Sequence, residues 1–228
     1  MHTTIIYTVI TGAYDSIKQP LVIEAGVEYV LFTNNREIKD GGVWKVVQIP
    51  SEQWQGRTER ENNILLSRKV KMLPHEYLLE VAEWSIYIDA DMVIKRPLTE
   101  LLNNLHLETL FAACRHSYCK NVQEEIADLL AKNMVQPEQV KEQWQKYTEW
   151  GFCDDLGISE NGLLIRRHND RLVQKLMQLW WSEYQQGCLR DQVSLMPCMY
   201  KEDFVPYFKF IEKNIRANEY LDVLKHNY

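Results

Sequence analysis

Along the 228-residue chain, the spacing of apolar residues switches repeatedly between strand-like runs and helical periodicity. Thr4 to Ile10 is a continuous β-branched and apolar run that breaks into Thr11-Gly12-Ala13-Tyr14-Asp15, a loop-forming sequence. Glu28 to Thr33 predicts a second strand, followed by Asn34-Asn35, and Val43 to Ile49 a third, stopped by Pro50. Glu59 to Met72 places Ile64, Leu65 and Val70 at helical spacing among Arg68, Lys69 and Lys71, and Pro74 ends the pattern. The apolar run from Trp84 to Ile88 then breaks abruptly into Asp89-Ala90-Asp91. Continuous runs of this kind suit strands covered on both faces, and their alternation with helices predicts an α/β, mostly parallel central sheet with crossover helices.

The second half is more helical. Phe111 to Arg115 is strand-like, and Val122 to Lys132 and Glu138 to Trp150 predict two amphipathic helices divided at Pro137. Gly162 to Arg166 predicts a short strand, and Leu172 to Tyr184 a long helix closed near Gly187. Asp191 to Met199 predicts a last helix, with Asp191 placed as its N-cap. Without a repeat, a low-complexity stretch or a linker, residues 1–228 are expected to form a single domain with a helical insertion at about 120–150.

Charge, cysteine usage and the terminal and membrane signals change the picture further. A formal net charge of -6 argues against a nucleic-acid surface, whose affinity rests on an excess of Lys and Arg. Five Cys without a C-x-x-C pair predict free thiols and a cytoplasmic protein rather than a disulfide framework or zinc ribbon. The apolar N-terminal stretch reads as a first strand, because no basic segment precedes it and no cleavage motif follows. No run approaches the roughly 20 apolar residues that span a bilayer, so at most a peripheral membrane contact is expected.

Candidate chemistry concentrates where the strand from Trp84 ends. In open α/β sheets ligands bind beyond the carboxyl ends of strands. A D-x-D triplet is common by chance, but Asp89 and Asp91 directly after a buried run can converge on one hard cation. Oxygen ligands of this kind suit Mg²⁺ or Mn²⁺, which also take ligands from substrate phosphates. Arg57, Arg60, Arg68, Lys69 and Lys71 lie just upstream, with Arg68 and Lys71 on one helix face. Such residues either meet a diphosphate or form a solvated face. No P-loop or G-x-G-x-x-G pattern occurs.

Five segments in order carry a more specific signal: IYTVITGAYDSIKQP, SRKVKMLPHEYL leading into WSIYIDADMVI, RHSYCKNVQEEI, GISENGLLIRRHND, and LWWSEYQQGCLRDQVSL. With them the chain resembles the TOD/MUCI-type glycosyltransferase-like family and, more broadly, GT-A-type glycosyltransferases. The resemblance implies a GT-A-like (Rossmann-like) sheet flanked by helices. It also implies a nucleotide-sugar donor, UDP-linked by preference, and a carbohydrate or glycolipid acceptor; the short chain adds the expectation of a role in bacterial surface polysaccharide or glycoconjugate synthesis. By the same resemblance Thr11, Gly12, Tyr14 and Asp15 lie near base and ribose, Asp89 near ribose and metal, and Asp91 on the metal. Asn161 and Gly162 would contact sugar and acceptor, and Asp191-Gln192 would stand near the reacting centre. Asn34 stands where relatives often have an acid, and His226 is the candidate third metal ligand. One branch of the family has been associated with ceramidase-type hydrolysis, and a non-catalytic nucleotide-sugar-binding protein is a further alternative.

Glycosyl transfer builds negative charge on the departing diphosphate, so a metal with Arg68, Lys71 or His116 would favour departure. Asp191 is expected to act as general base if the sugar inverts, or to hold donor hydroxyls and stabilise the cationic sugar if configuration is retained. His116 is expected at the site rim, while His75 and His168 are ambiguous. Glu124 and Glu125 fit an acceptor contact and a solvated helix face equally well. Trp180 and Trp181 are expected to pack in the core.

Overall fold

The computed structural model describes residues 3–78, 82–211, 215 and 218–224. Its centre is a seven-stranded sheet in the order β3-β2-β1-β4-β7-β6-β8. The strands are β1 (Thr4–Ile10), β2 (Val27–Thr33), β3 (Lys45–Gln48), β4 (Trp84–Ile88), β6 (Phe111–Arg115), β7 (Ser159–Arg166) and β8 (Phe208–Ile211). A small second sheet pairs β5 (Met92–Ile94) with β9 (Leu221–Val223). Pairings β3/β2, β2/β1, β1/β4 and β6/β8 are parallel, and β7 alone runs antiparallel to its neighbours β4 and β6.

Each face of the sheet covers one apolar core. One contains Tyr7, Phe32, Leu66, Val70, Trp180 and Tyr184; the other contains Ile6, Leu31, Ile86, Ile88 and Leu101. All seven residues of β1 and all five of β4 are buried, which is why their sequence is unbroken apolar rather than alternating.

Helix α1 (Glu59–Met72) begins at a capping box: Thr58 accepts from the Glu61 backbone N–H, and the Glu61 side chain accepts from the Thr58 N–H at 2.8 Å. Its buried stripe includes Leu65, Leu66, Val70 and Met72, which fixes the helix in rotation against the sheet. A short helix, α2 (Pro74–Tyr77), comes next.

Between β6 and β7 the chain forms α3 (Val122–Ala131) and α4 (Pro137–Glu149), whose Pro137 opens the second helix at its first position. Helix α5 (Arg171–Gln186) packs on α6 (Asp191–Lys201) and on α1. Trp180 is fully buried in this packing, as expected, and Trp181 is half-buried against it.

Four details depart from the sequence reading. Strand β7 starts three residues earlier than Gly162, and β3 is shorter than Val43 to Ile49. Strands β5, β8 and β9 carry runs too short to register as periodic. Asp191 is not an N-cap: Arg190 holds that position, and the Asp191 side chain is committed elsewhere.

Candidate active site

The carboxyl ends of β1 and β4, the outward face of α1 and the turn between α5 and α6 enclose a cavity of about 620 Å³. Four elements distant in sequence supply its polar lining. Thr11, Tyr14 and Asp15 come from the loop after β1, and Arg60, Asn63, Ser67 and Arg68 from α1. Asp89 and Asp91 follow β4, and Arg190 and Asp191 open α6.

The β1 loop is shaped by Gly12, whose φ of +61° favours glycine and where a Cβ would stand 2.7 Å from Asn63 Nδ2. Asn34 ties this loop to α1. Its Oδ1 accepts from the Gly12 N–H at 2.7 Å, and its Nδ2 donates to Asn63 Oδ1 at 2.7 Å. An acid at position 34 could accept the first bond but could not donate the second. Thr11 Oγ1 donates to the Asn63 carbonyl at 2.7 Å, and Asp15 pairs with Lys18.

Behind the cavity lies a charge network that α1 delivers. Lys71, 1% exposed, donates to Asp191 Oδ2 at 2.7 Å and stands 3.5 Å from Asp89 Oδ1. Arg68, one turn earlier on the same face, stands 3.8 Å from both carboxylates. Burial alone would raise the Asp191 carboxyl, but Lys71 and Arg68 outweigh it and hold it well below the usual carboxylate range. Burial likewise disfavours the Arg68 charge, yet Asp191 and Asp89 keep the guanidinium firmly protonated. Tyr87 donates to Asp89 Oδ1 at 2.7 Å, and burial with the neighbouring Asp89 pushes its phenol well up. Tyr184, on the same wall, is pushed up to about 12, chiefly by burial.

Asp89 and Asp91 occupy a tight turn closed by the Met92 N–H on the Asp89 carbonyl at 3.1 Å. The Asp89 N–H in turn donates to the Gly162 carbonyl at 2.9 Å. Position 162 must be small, because a Cβ there would collide with Met92 Cε and stand 3.1 Å from Asp89 Oδ2. A two-carboxylate oxygen set beside a cavity fits a hard cation whose remaining ligands are water and substrate phosphates. His226, the expected third ligand, lies outside the described residues.

Residues 2–215 match the family model "TOD1/MUCI70, glycosyltransferase-like domain". The chain belongs to this family. No curated protein matches it closely enough to count as a relative. Among solved structures, the apo structure of the bifunctional glycosyltransferase WbbM has a TM-score of 0.50 at 10% identity, covering 92% of this chain. The chain spans only 39% of that protein's length. The galactosyltransferase LgtC, in complex with donor and acceptor sugar analogues, has a TM-score of 0.48 at 13% identity, covering 90% of this chain and 72% of the other. Mouse xyloside xylosyltransferase 1 in its apo form has a TM-score of 0.47 at 11% identity, covering 90% and 84%. The TOD1/MUCI70 domain has the expected α/β, GT-A-like fold.

In this TOD1/MUCI70 domain the cavity gathers Thr11, Tyr14, Asp15, Arg68, Asp89, Asp91 and Asp191 from the residues that sequence singled out. Gly12 shapes the loop, Lys71 supports the carboxylates from behind, and Gly162 backs Asp89. Asn161, buried, accepts from Ser159 Oγ at 2.7 Å, and its Nδ2 has no hydrogen-bond partner. Gln192, His116 and Asn161 are not among the residues lining the cavity. His116 instead meets Cys119 and Glu125, with one ligand atom from each within 4.8 Å of the others. Glu124 bonds the Lys120 N–H, while Glu125 is buried rather than solvated.

Sequence reading missed Arg190, Tyr87, Tyr184, Asn63 and Ser67 as cavity residues. Arg190 directly precedes Asp191 in the last motif segment, so its neighbour was the available signal. His75 and His168 lie far from this rim, beside the buried Arg166 at the other end of the sheet. Among the described residues no helix is long and apolar enough to cross a membrane.

Proposed function

We propose that the chain is a metal-dependent glycosyltransferase that moves a sugar from a nucleoside diphosphate, UDP by preference, to a hydroxyl of a carbohydrate or glycolipid acceptor. The observation that carries this reading is one cavity in which Asp89, Asp91 and Asp191 face Arg60, Arg68 and Arg190. Family membership supports the same reaction class. A cytoplasmic site of action and a part in surface-polysaccharide or glycoconjugate synthesis complete the proposal.

Mn²⁺ or Mg²⁺ held by Asp89 and Asp91 would offset the charge that grows on the departing diphosphate. The chain's own residues do the rest. Thr11, Tyr14 and Asp15 form the wall for base and ribose, and Arg68 presents a fixed positive charge at the donor. Asp191 is a poor general base, because Lys71 and Arg68 strongly favour its ionised form and so lower its affinity for a proton. Its chemistry suits the other role: accepting hydrogen bonds from donor hydroxyls and opposing the positive charge of an oxocarbenium-like sugar.

Calorimetric titration with UDP-sugars and GDP-sugars, with and without MnCl₂, tests the reading. Tight binding that requires Mn²⁺ and disappears in Asp91→Ala is the expected result. Binding of no nucleotide sugar, or metal-independent binding untouched by Asp91→Ala, defeats it. Binding without transfer to any acceptor would leave a carrier rather than an enzyme.

A further inference from the structure

Part of the cavity wall comes from the four-residue turn between α5 and α6, Gly187 to Arg190, and the α3–α4 segment grips it at several points. The Cys188 N–H donates to Gln143 Oε1 at 2.9 Å, and Gln139 Nε2 donates to the Gly187 carbonyl at 2.7 Å. Gly187 admits this approach because a side chain there would collide with Gln143. From the core side, Trp180 Nε1 donates to the Asp191 carbonyl at 3.1 Å. Leu189 takes a φ of +56°, unusual for a branched residue, so the turn is held against a local preference.

Arg190, next in the turn, lines the cavity, yet its Nε is buried and has no hydrogen-bond partner. Its Nη2 stands 3.6 Å from Oε1 of Glu125, a carboxylate only 4% exposed. The other oxygen of Glu125 faces His116 Nε2 at 3.6 Å and accepts from Cys119 Sγ at 3.5 Å. His116 Nδ1 accepts the backbone N–H of Cys119 at 2.9 Å and of Tyr118 at 3.3 Å. In a neutral imidazole the ring proton therefore sits on Nε2 and points at Glu125. A metal on Nε2 would need that lone pair, so this trio is a hub of donors around one carboxylate rather than a metal site. The Cys119 thiol, pushed up to about 12 by burial and by Glu125, remains protonated and donating.

We infer that Glu125 is a positioning residue: it holds Arg190 over the cavity, where the guanidinium takes a phosphate oxygen of the nucleoside diphosphate. This rests on the function proposed above. The α3–α4 segment thus supplies the anchor for a cationic contact that α1 and the β4 turn do not provide. A guanidinium already restrained by a buried carboxylate loses less freedom on meeting phosphate than a solvated one.

The test compares UDP, GDP and ADP, each against its parent nucleoside, by calorimetry with MnCl₂ present. Arg190→Ala should weaken the diphosphate that binds by about tenfold or more, the scale of a charge-assisted hydrogen bond, and leave its nucleoside unchanged. Glu125→Gln should weaken the diphosphate severalfold, again sparing the nucleoside, and should add nothing in an Arg190→Ala background. A merely structural role would lower both ligands and persist in that background, which overturns the inference. Should Glu125→Gln not fold, Glu125→Asp carries the same comparison, with the shorter side chain expected to weaken the diphosphate alone. A diphosphate affinity unchanged by any Glu125 variant overturns this inference while leaving the proposed function intact. Failure of every diphosphate to bind the unaltered protein overturns both.

Discussion

Lys71 Nζ and Asp191 Oδ2 are 2.7 Å apart in a buried ion pair that joins residues 120 positions apart in sequence. The pair fastens the last turn of α1 to the first turn of α6, and Asp89 and Arg68 complete it on the cavity side. Removing Lys71 leaves a buried carboxylate with only the looser charges of Arg68 and Arg190 to offset it. Lys71→Met should lower stability by roughly 3 kcal/mol, as breaking a buried pair does, while Lys71→Met with Asp191→Leu should recover most of that loss. Urea unfolding measures both; a single-variant loss below about 1 kcal/mol would contradict the pair's buried character.

Gly162→Ala tests the link between β7 and the acidic turn. The added methyl meets Met92 Cε and presses toward Asp89 Oδ2. The expected outcome is a stability loss of about 1–3 kcal/mol, the usual effect of overpacking, together with weaker Mn²⁺-dependent donor binding. Donor titration at matched folded fraction separates the two effects, and unchanged binding would remove Gly162 from any part in placing Asp89.

His168 predicts a pH window. It is fully buried, neither ring nitrogen has a hydrogen-bond partner, and burial, Arg166 and His75 bring its pKa down to about 4. The unfolded chain takes up the proton near 6.5, so the folded state is favoured above that pH. Stability should fall by on the order of 3 kcal/mol as the pH drops from about 6.5 to about 4. Burial lowers His75 too, so it acts in the same direction. The stability that Asp191 contributes is present throughout this window and is lost only below the ordinary carboxylate value of 3.8. Urea midpoints at several pH values, with His168→Leu expected to flatten the slope, decide the matter.

Arg166 offers the reverse of Lys71. It is fully buried, bonded to the Tyr7 hydroxyl and to Met177 Sδ, with its Nε unpartnered. No ion pair links it to a carboxylate among the described residues, and burial lowers its pKa. Arg166→Met should therefore change stability by less than about 1 kcal/mol or raise it, because the isolated charge is itself unfavourable. A loss above about 3 kcal/mol in urea unfolding would show that the guanidinium is compensated.

The strands and helices that sequence reveals are those whose covering makes a long pattern. Buried on both faces, β1 and β4 show as unbroken apolar runs, and α1 shows its stripe and its Pro74 stop. Half of the site was legible for the same reason, since Asp89 and Asp91 end such a run. The other half depends on pairings across the fold. Asp191 looked like a helix cap because local sequence cannot show a lysine 120 residues away, and Lys71 looked like part of a solvated face for the same reason. Glu125 was ambiguous between solvent and substrate, whereas tertiary packing gives it Arg190, His116 and Cys119. Short strands such as β5 and β9 exist only because they pair with each other.

The reversed direction of β7 constrains the length of α5. The strand ends beside the start of β4, away from the cavity, so the chain must travel back over its eight residues, about 26 Å, to reach the cavity again. Helix α5 makes that return with sixteen residues, about 24 Å at the ordinary rise per residue. Distance and angular phase are therefore set together, since each residue added to the helix turns its end by about 100°. A single insertion within α5 would carry Asp191 out of line with Lys71 without touching either residue. Helix length, as much as side-chain identity, is a determinant that natural variation in this chain is expected to keep constant.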